Sequence, residues 1–253
     1  MAKNKKIVVA NWKMNPESLE EAKEIMVSAV KSAPKSALTV ICPPFVFLPA
    51  VSKFIKGKHL ALGAQNLFAG KSGAYTGEIS AGMLQNFAVS FCIIGHSERR
   101  MRGETDSDVA KKIQLACNAQ IVPILCVGEK ERDAHGEYLH ILKSQIIESL
   151  ALLPKSAIKN IIIAYEPIWA IGSESKGAMN ARELHETSIF IRKVLVDAFG
   201  VKAKETKIIY GGSVAPQNAA RLVKDGYVDG LLVGHESLKP KDFAEILKSV
   251  SNI

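Results

Sequence analysis

An apolar run, IIIAY, delivers a single carboxylate, Glu166, to its C-terminal end; a proline-started apolar stretch, PIWAIG, follows and closes on Gly172. A strand that ends in a carboxylate and continues into such a loop can hold a general base and a lid together. Taken alone, Glu166 is equally an ordinary loop acid, so its company decides. In IIGHSERR, His96 falls between a strand end and a helix starting at Ser97. Helix N-terminal N–H groups aimed at the ring disfavour a second proton there. His96 is therefore expected to be neutral and able to donate to a carbonyl oxygen. NWKMN ends the first apolar run with Asn11 and Lys13. An ammonium there would sit at a site mouth beside an anionic substrate, although a solvated lysine and a turn-capping asparagine fit the same letters. Glu98 is either a first-turn acid or the partner of a nearby cation, Lys13. Two glycine loops, YGGSV with Gly212 and Ser213 and LLVGHESL with Gly234, each precede a helix. Glycines let backbone N–H groups approach an anion closely; either loop alone is commonly just a turn, and the two together point to a phosphate.

These residues need a frame. Apolar runs of strand character at 7–12, 38–42, 60–64, 91–94, 121–126, 161–165, 207–210 and 230–233 alternate with segments of helical spacing at 16–32, 48–54, 80–86, 107–118, 137–152, 181–199, 218–224 and 239–250. Asn15-Pro16 reads as an N-cap and first helical residue. Repeated βα alternation implies a parallel sheet. Eight units in 253 residues fit a single (β/α)8 barrel domain over 1–253 better than an open doubly wound sheet. No GxGxxG follows a strand, so a dinucleotide site has no support. Barrel enzymes carry their function at the C-terminal ends of the strands, and Asn11, Lys13, His96, Glu166, Ser213 and Gly234 all follow strands.

Hydrophobic residues make up 47% and charged residues 23% of the chain, which suits a large core and argues against disorder. The basic start precedes an apolar run too short for a signal peptide, and no run approaches 18 apolar residues, so a cytoplasmic protein without a membrane span is expected. Cys42, Cys92, Cys117 and Cys126 lack CxxC spacing and read as reduced thiols, three of them in apolar runs; no metal motif occurs. The net charge of +8 comes from lysines spread over most helices rather than gathered with aromatics, which reads as a solvated basic surface and not a nucleic-acid face.

NWKMN, GAYTGEIS, GHSERR, CVGE, AYEPIWAIG, YGGSV and DGLLVG, in this order and at these spacings from residue 7 to residue 238, resemble the triosephosphate isomerase family over nearly the whole chain. The resemblance implies interconversion of dihydroxyacetone phosphate and D-glyceraldehyde 3-phosphate without metal or organic cofactor. It implies Glu166 as the base, His96 as the group that polarises the carbonyl and shuttles protons, Lys13 as the cation beside the enediolate, Asn11 as an orienting group and Glu98 as the residue that holds Lys13 or the His96 segment. The division of roles between a glutamate base and a neutral histidine is the family's and is what the resemblance implies. It also implies phosphate contacts from backbone N–H groups near Gly172, Ser213, Gly234 and His235, a lid over 167–178, and a homodimer in which Thr76 reaches Asn11 of the partner.

The chain departs from the family pattern in places. Gly234 is followed by His235 and Glu236 where Gly-Gly-Ala is usual; a histidine is strained there if that position needs positive φ, and the acid would repel a phosphate unless its side chain points away. The lid tip, Ser173 to Ala178, is one residue longer than usual. The segment between GHSERR and Gly103 is one residue shorter, which could shift the helix beside His96. Pro16 replaces a common glycine after NWKMN and suits a helix start. Two other functions use the same frame: a barrel that binds phosphosugars without turnover or serves surface attachment, and a Schiff-base aldolase, which needs a desolvated lysine that Lys13 beside Glu98 does not supply.

Overall fold

The computed structural model describes residues 5–55, 59–133, 135–171 and 179–253. Eight parallel strands close on themselves in chain order: β1 (Lys6–Asn11), β2 (Ala37–Cys42), β3 (Leu60–Ala64), β4 (Val89–Ile94), β5 (Val122–Val127), β6 (Ile162–Tyr165), β7 (Lys207–Tyr210) and β8 (Gly230–Val233), with β8 returning to β1. The expected barrel and all eight strands are present; β4 starts two residues earlier than the apolar run suggested, and β5 is shifted by one.

Side chains alternate across each strand. Ile7, Val9, Val40, Ile93, Ile124 and Ile209 fill the barrel interior, while Val8, Ala10, Ile41, Ile94, Leu125 and Ile208 face the surrounding helices. Both faces are buried, which is why the strands read as continuous apolar runs rather than alternating ones. The four cysteines are unpaired, and burial pushes the thiols of Cys42, Cys92 and Cys126 well up.

Among the described residues the helices are α1 (Leu19–Ser32), α2 (Leu48–Ile55), α3 (Ala81–Asn86), α4 (Ser97–Arg100), α5 (Asp106–Asn118), α6 (Glu137–Ser149), α7 (Ala181–Phe199), α8 (Pro216–Asp225) and α9 (Pro240–Ser251). The Asn15-Pro16 start is a correction: α1 begins at Leu19, because Ser18 accepts the Glu21 N–H at 3.1 Å and so satisfies a first-turn donor. Pro16 belongs to the entering loop. The helix beside His96 does start at Ser97, but it is a single turn, and α5 opens separately behind a Thr105–Asp108 capping box. The shortened segment before Gly103 thus leaves the turn after β4 in place.

Candidate active site

The site is built from strand ends. Asn11 closes β1, is nearly fully buried, and accepts the Lys13 N–H on its side-chain oxygen at 3.0 Å. Lys13 sits at φ +54, a conformation non-glycine residues rarely adopt. Gln65, directly after β3, holds it there: its Nε2 donates to Lys13 O at 2.8 Å and to Cys42 O at 2.9 Å. The ammonium is aimed across the mouth and donates to Glu98 Oε1 at 2.6 Å.

Glu166 follows β6 and is 2% exposed. Its backbone N–H donates to Val127 O at 2.8 Å, extending the β5–β6 ladder by one residue. The approach is so close that a Cβ at Gly128 would lie 1.8 Å from Glu166 O; only glycine fits. The carboxylate accepts the Ser97 N–H at 3.2 Å on one oxygen, and its other oxygen lies 3.1 Å from His96 Nε2. Burial by itself would raise this carboxyl; the His96 charge and hydrogen bond, the Ser97 N–H and the Cys126 thiol outweigh it, and the group is held below the usual carboxylate range.

His96 is buried at the start of α4. Burial pulls the imidazolium down, while the adjoining Glu166 carboxylate pushes it up past its ordinary range. The other ring nitrogen opposes that rise: Nδ1 accepts the Glu98 N–H at 3.2 Å. A second proton would have to go on Nδ1, against a fixed donor. These hydrogen bonds match a neutral ring with its proton on Nε2.

Asn11, Lys13, His96, Glu166, Ser213, Gly234 and His235 line one cavity of ≈ 740 Å³ at the C-terminal end of the barrel. Glu98 stands behind Lys13 and lines the neighbouring hollows instead. His235 and Glu236 lie in a short 3-10 turn, His235–Leu238, and neither has positive φ, so the strain considered for a histidine here does not arise. The N–H and Oγ of Ser213 both donate to Ala170 O, at 3.1 and 2.7 Å, so in this arrangement its N–H is engaged by the segment after β6 rather than turned to the cavity. Thr76 is exposed on the loop between β3 and α3. Gly172 and the lid tip 173–178 lie outside the described residues. Among those described, no group of three His, Cys, Asp or Glu is placed to hold a metal ion.

Two residues of the site were not singled out from sequence. Gln65 could have been found by its position, since it is a polar residue immediately after a strand. Glu129, the last letter of CVGE, is fully buried and accepts from Tyr165 Oη at 2.8 Å, Trp169 Nε1 at 2.9 Å and Arg132 Nε at 3.1 Å. It ties the segment after β6 to the end of β5, and nothing in its sequence neighbourhood predicts that.

A closed parallel barrel with a buried carboxylate, an imidazole and an ammonium grouped at the C-terminal ends of its strands is a (β/α)8-barrel enzyme. The family model described as triosephosphate isomerase matches residues 6–250. The chain is 43% identical over 249 residues to the triosephosphate isomerase of Rhodopirellula baltica, covering 96% of each, and 41% identical over 252 residues to that of Dictyoglomus thermophilum, covering 97% of this chain and 99% of the other. The crystal structure of triosephosphate isomerase from Bartonella henselae superposes with a TM-score of 0.84 at 35% identity, over 97% of this chain and 98% of that one. The chain belongs to the triosephosphate isomerase family.

Proposed function

We propose that this single-domain barrel interconverts dihydroxyacetone phosphate and D-glyceraldehyde 3-phosphate, as a glycolytic and gluconeogenic enzyme of the cytoplasm. The observation that carries the reading is the meeting of Glu166, His96 and Lys13 in one cavity, with the carboxylate 3.1 Å from the imidazole. No helix of the described residues is long and apolar enough to cross a membrane.

Glu166 takes a proton from the carbon next to the carbonyl and returns it to the neighbouring carbon. The electron pair left behind forms an enediolate, whose charge is stabilised by fixed donors. His96 Nε2–H donates to the carbonyl oxygen and moves protons between the two oxygens; Lys13 sets an ammonium beside the developing charge, and Asn11 orients the oxygens. Glu98 keeps the Lys13 arm extended across the mouth. Backbone N–H groups at Gly172, Ser213, Gly234 and His235 hold the phosphate, with the Ser213 N–H leaving Ala170 O to do so. The non-reacting phosphate supplies binding energy that draws the lid over 167–178 and desolvates Glu166. The protein works as a homodimer, with Thr76 directed at the partner's Asn11.

Steady-state conversion of D-glyceraldehyde 3-phosphate is the direct test. A kcat/KM approaching about 10⁸ M⁻¹s⁻¹ is expected. A folded protein without turnover of this substrate overturns the reading.

A further inference from the structure

The cavity that holds Glu166 and His96 has a charge imbalance. Among the described residues of its wall, one ammonium, Lys13, stands against two carboxylates, Glu166 and Glu236. Lys13 is already paired with Glu98. A phosphate monoester brings about −1.5 to −2 charges at neutral pH, and an unpaired carboxylate in the loop after β8 would repel it.

Glu236 is not unpaired. Lys239, which does not line the cavity, donates from Nζ to Glu236 Oε1 at 2.9 Å. The local fold sets this up: Ser237 N–H and Oγ both donate to Gly234 O, and Lys239 N–H donates to Glu236 O at 3.3 Å. The turn therefore brings residue 239 back over residue 236. Asp242, in the first turn of α9, is 3.9 Å from the same ammonium and competes weakly for it. The Glu236 side chain is 21% exposed and that of Lys239 is 47% exposed. A pair this exposed contributes little to stability, so its effect belongs to the cavity.

We infer that Lys239 is a positioning residue for the phosphate half of the substrate, acting through Glu236. Its ammonium cancels the carboxylate that this chain carries in the strand-8 loop, and the phosphate then meets a wall without that excess negative charge. The inference rests on the isomerase reading above.

The test is the steady-state kinetics of the full-length protein with D-glyceraldehyde 3-phosphate at low ionic strength. Lys239→Met is expected to raise KM about three- to ten-fold with kcat within about two-fold. The rise should shrink on adding salt, because the Debye length is about 10 Å at 0.1 M. Lys239→Arg should keep the wild-type KM, and Glu236→Gln combined with Lys239→Met should restore it. An unchanged KM in Lys239→Met, beside an active wild type, overturns the inference and leaves the isomerase reading standing. So does a KM equally raised in the double variant, which would make the lysine's role steric. A folded wild type without turnover removes both readings together.

Discussion

At the scale of single residues, the site is a set of donors already aimed. Glu166 is buried and ionised because two N–H donors and a thiol face it, and His96 keeps its proton on Nε2 because Glu98 N–H occupies Nδ1. The base role proposed for Glu166 predicts a particular kinetic signature. Glu166→Asp withdraws the carboxylate by roughly one bond, about 1.5 Å, and leaves the phosphate contacts alone. It should lower kcat by about 10²-fold or more while KM changes little. Equal kcat in variant and wild type would remove Glu166 from the mechanism. The letters around Glu166, His96 and Lys13 were legible because each follows an apolar run. Gln65 follows an apolar run as well, but the carbonyl it holds, Lys13 O, lies 52 positions away and was not legible. Glu129 was not legible at all, because its partners Tyr165 and Trp169 lie 36 and 40 positions away in sequence and meet it only through the closed sheet.

At the scale of elements, the termini of helices and strands do the positioning. The start of α6 depends on Asp133, whose carboxylate accepts the N–H groups of His135, Glu137 and Tyr138 at 2.7, 3.1 and 3.0 Å. Chiefly through the Glu137 bond, these hold its carboxyl down at about 2, although it is fully exposed. A lowered folded-state pKa means that the stabilisation is complete above the ordinary carboxyl pKa, about 3.9, and disappears as pH falls through the folded value. Asp133→Ala should therefore lower the urea midpoint at pH 7, and the gap to wild type should narrow between about pH 4 and about pH 2. A gap independent of pH would assign the loss to something other than this carboxylate. The sequence located α6 but overran its end, since Ala151 and Leu152 continue the apolar spacing after the last helical residue. At α1 the Asn15-Pro16 pair competed with Ser18 for the same role, and the serine won because its side chain reaches the Glu21 N–H.

At the scale of the whole molecule, closing the sheet brings the ends of β1, β4, β6, β7 and β8 around one cavity. Outside it, Met14, Val46, Tyr75, Met83 and Met101 are all more than half exposed. These side chains all follow four neighbouring strands, β1 to β4, and that side of the barrel is the surface the homodimer proposed above would cover. Light scattering should return twice the chain mass of 27.4 kDa. Thr76→Arg should shift the protein toward monomer and lower kcat by about ten-fold or more if Asn11 loses its orientation; a wild-type monomer at full turnover would remove the dimer. Apolar periodicity and strand-end chemistry by themselves determined the barrel, because a strand buried on both faces must be apolar throughout, and polar residues then collect where strands stop. Motif resemblance carried the family. Only the tertiary structure decided which acid serves which cation. Glu98 holds Lys13, Glu129 gathers Arg132 with Tyr165 and Trp169, and Glu236 is held by Lys239. Charge pairing is a matter of a few ångströms between side-chain tips, and those distances come into being only when the chain closes on itself.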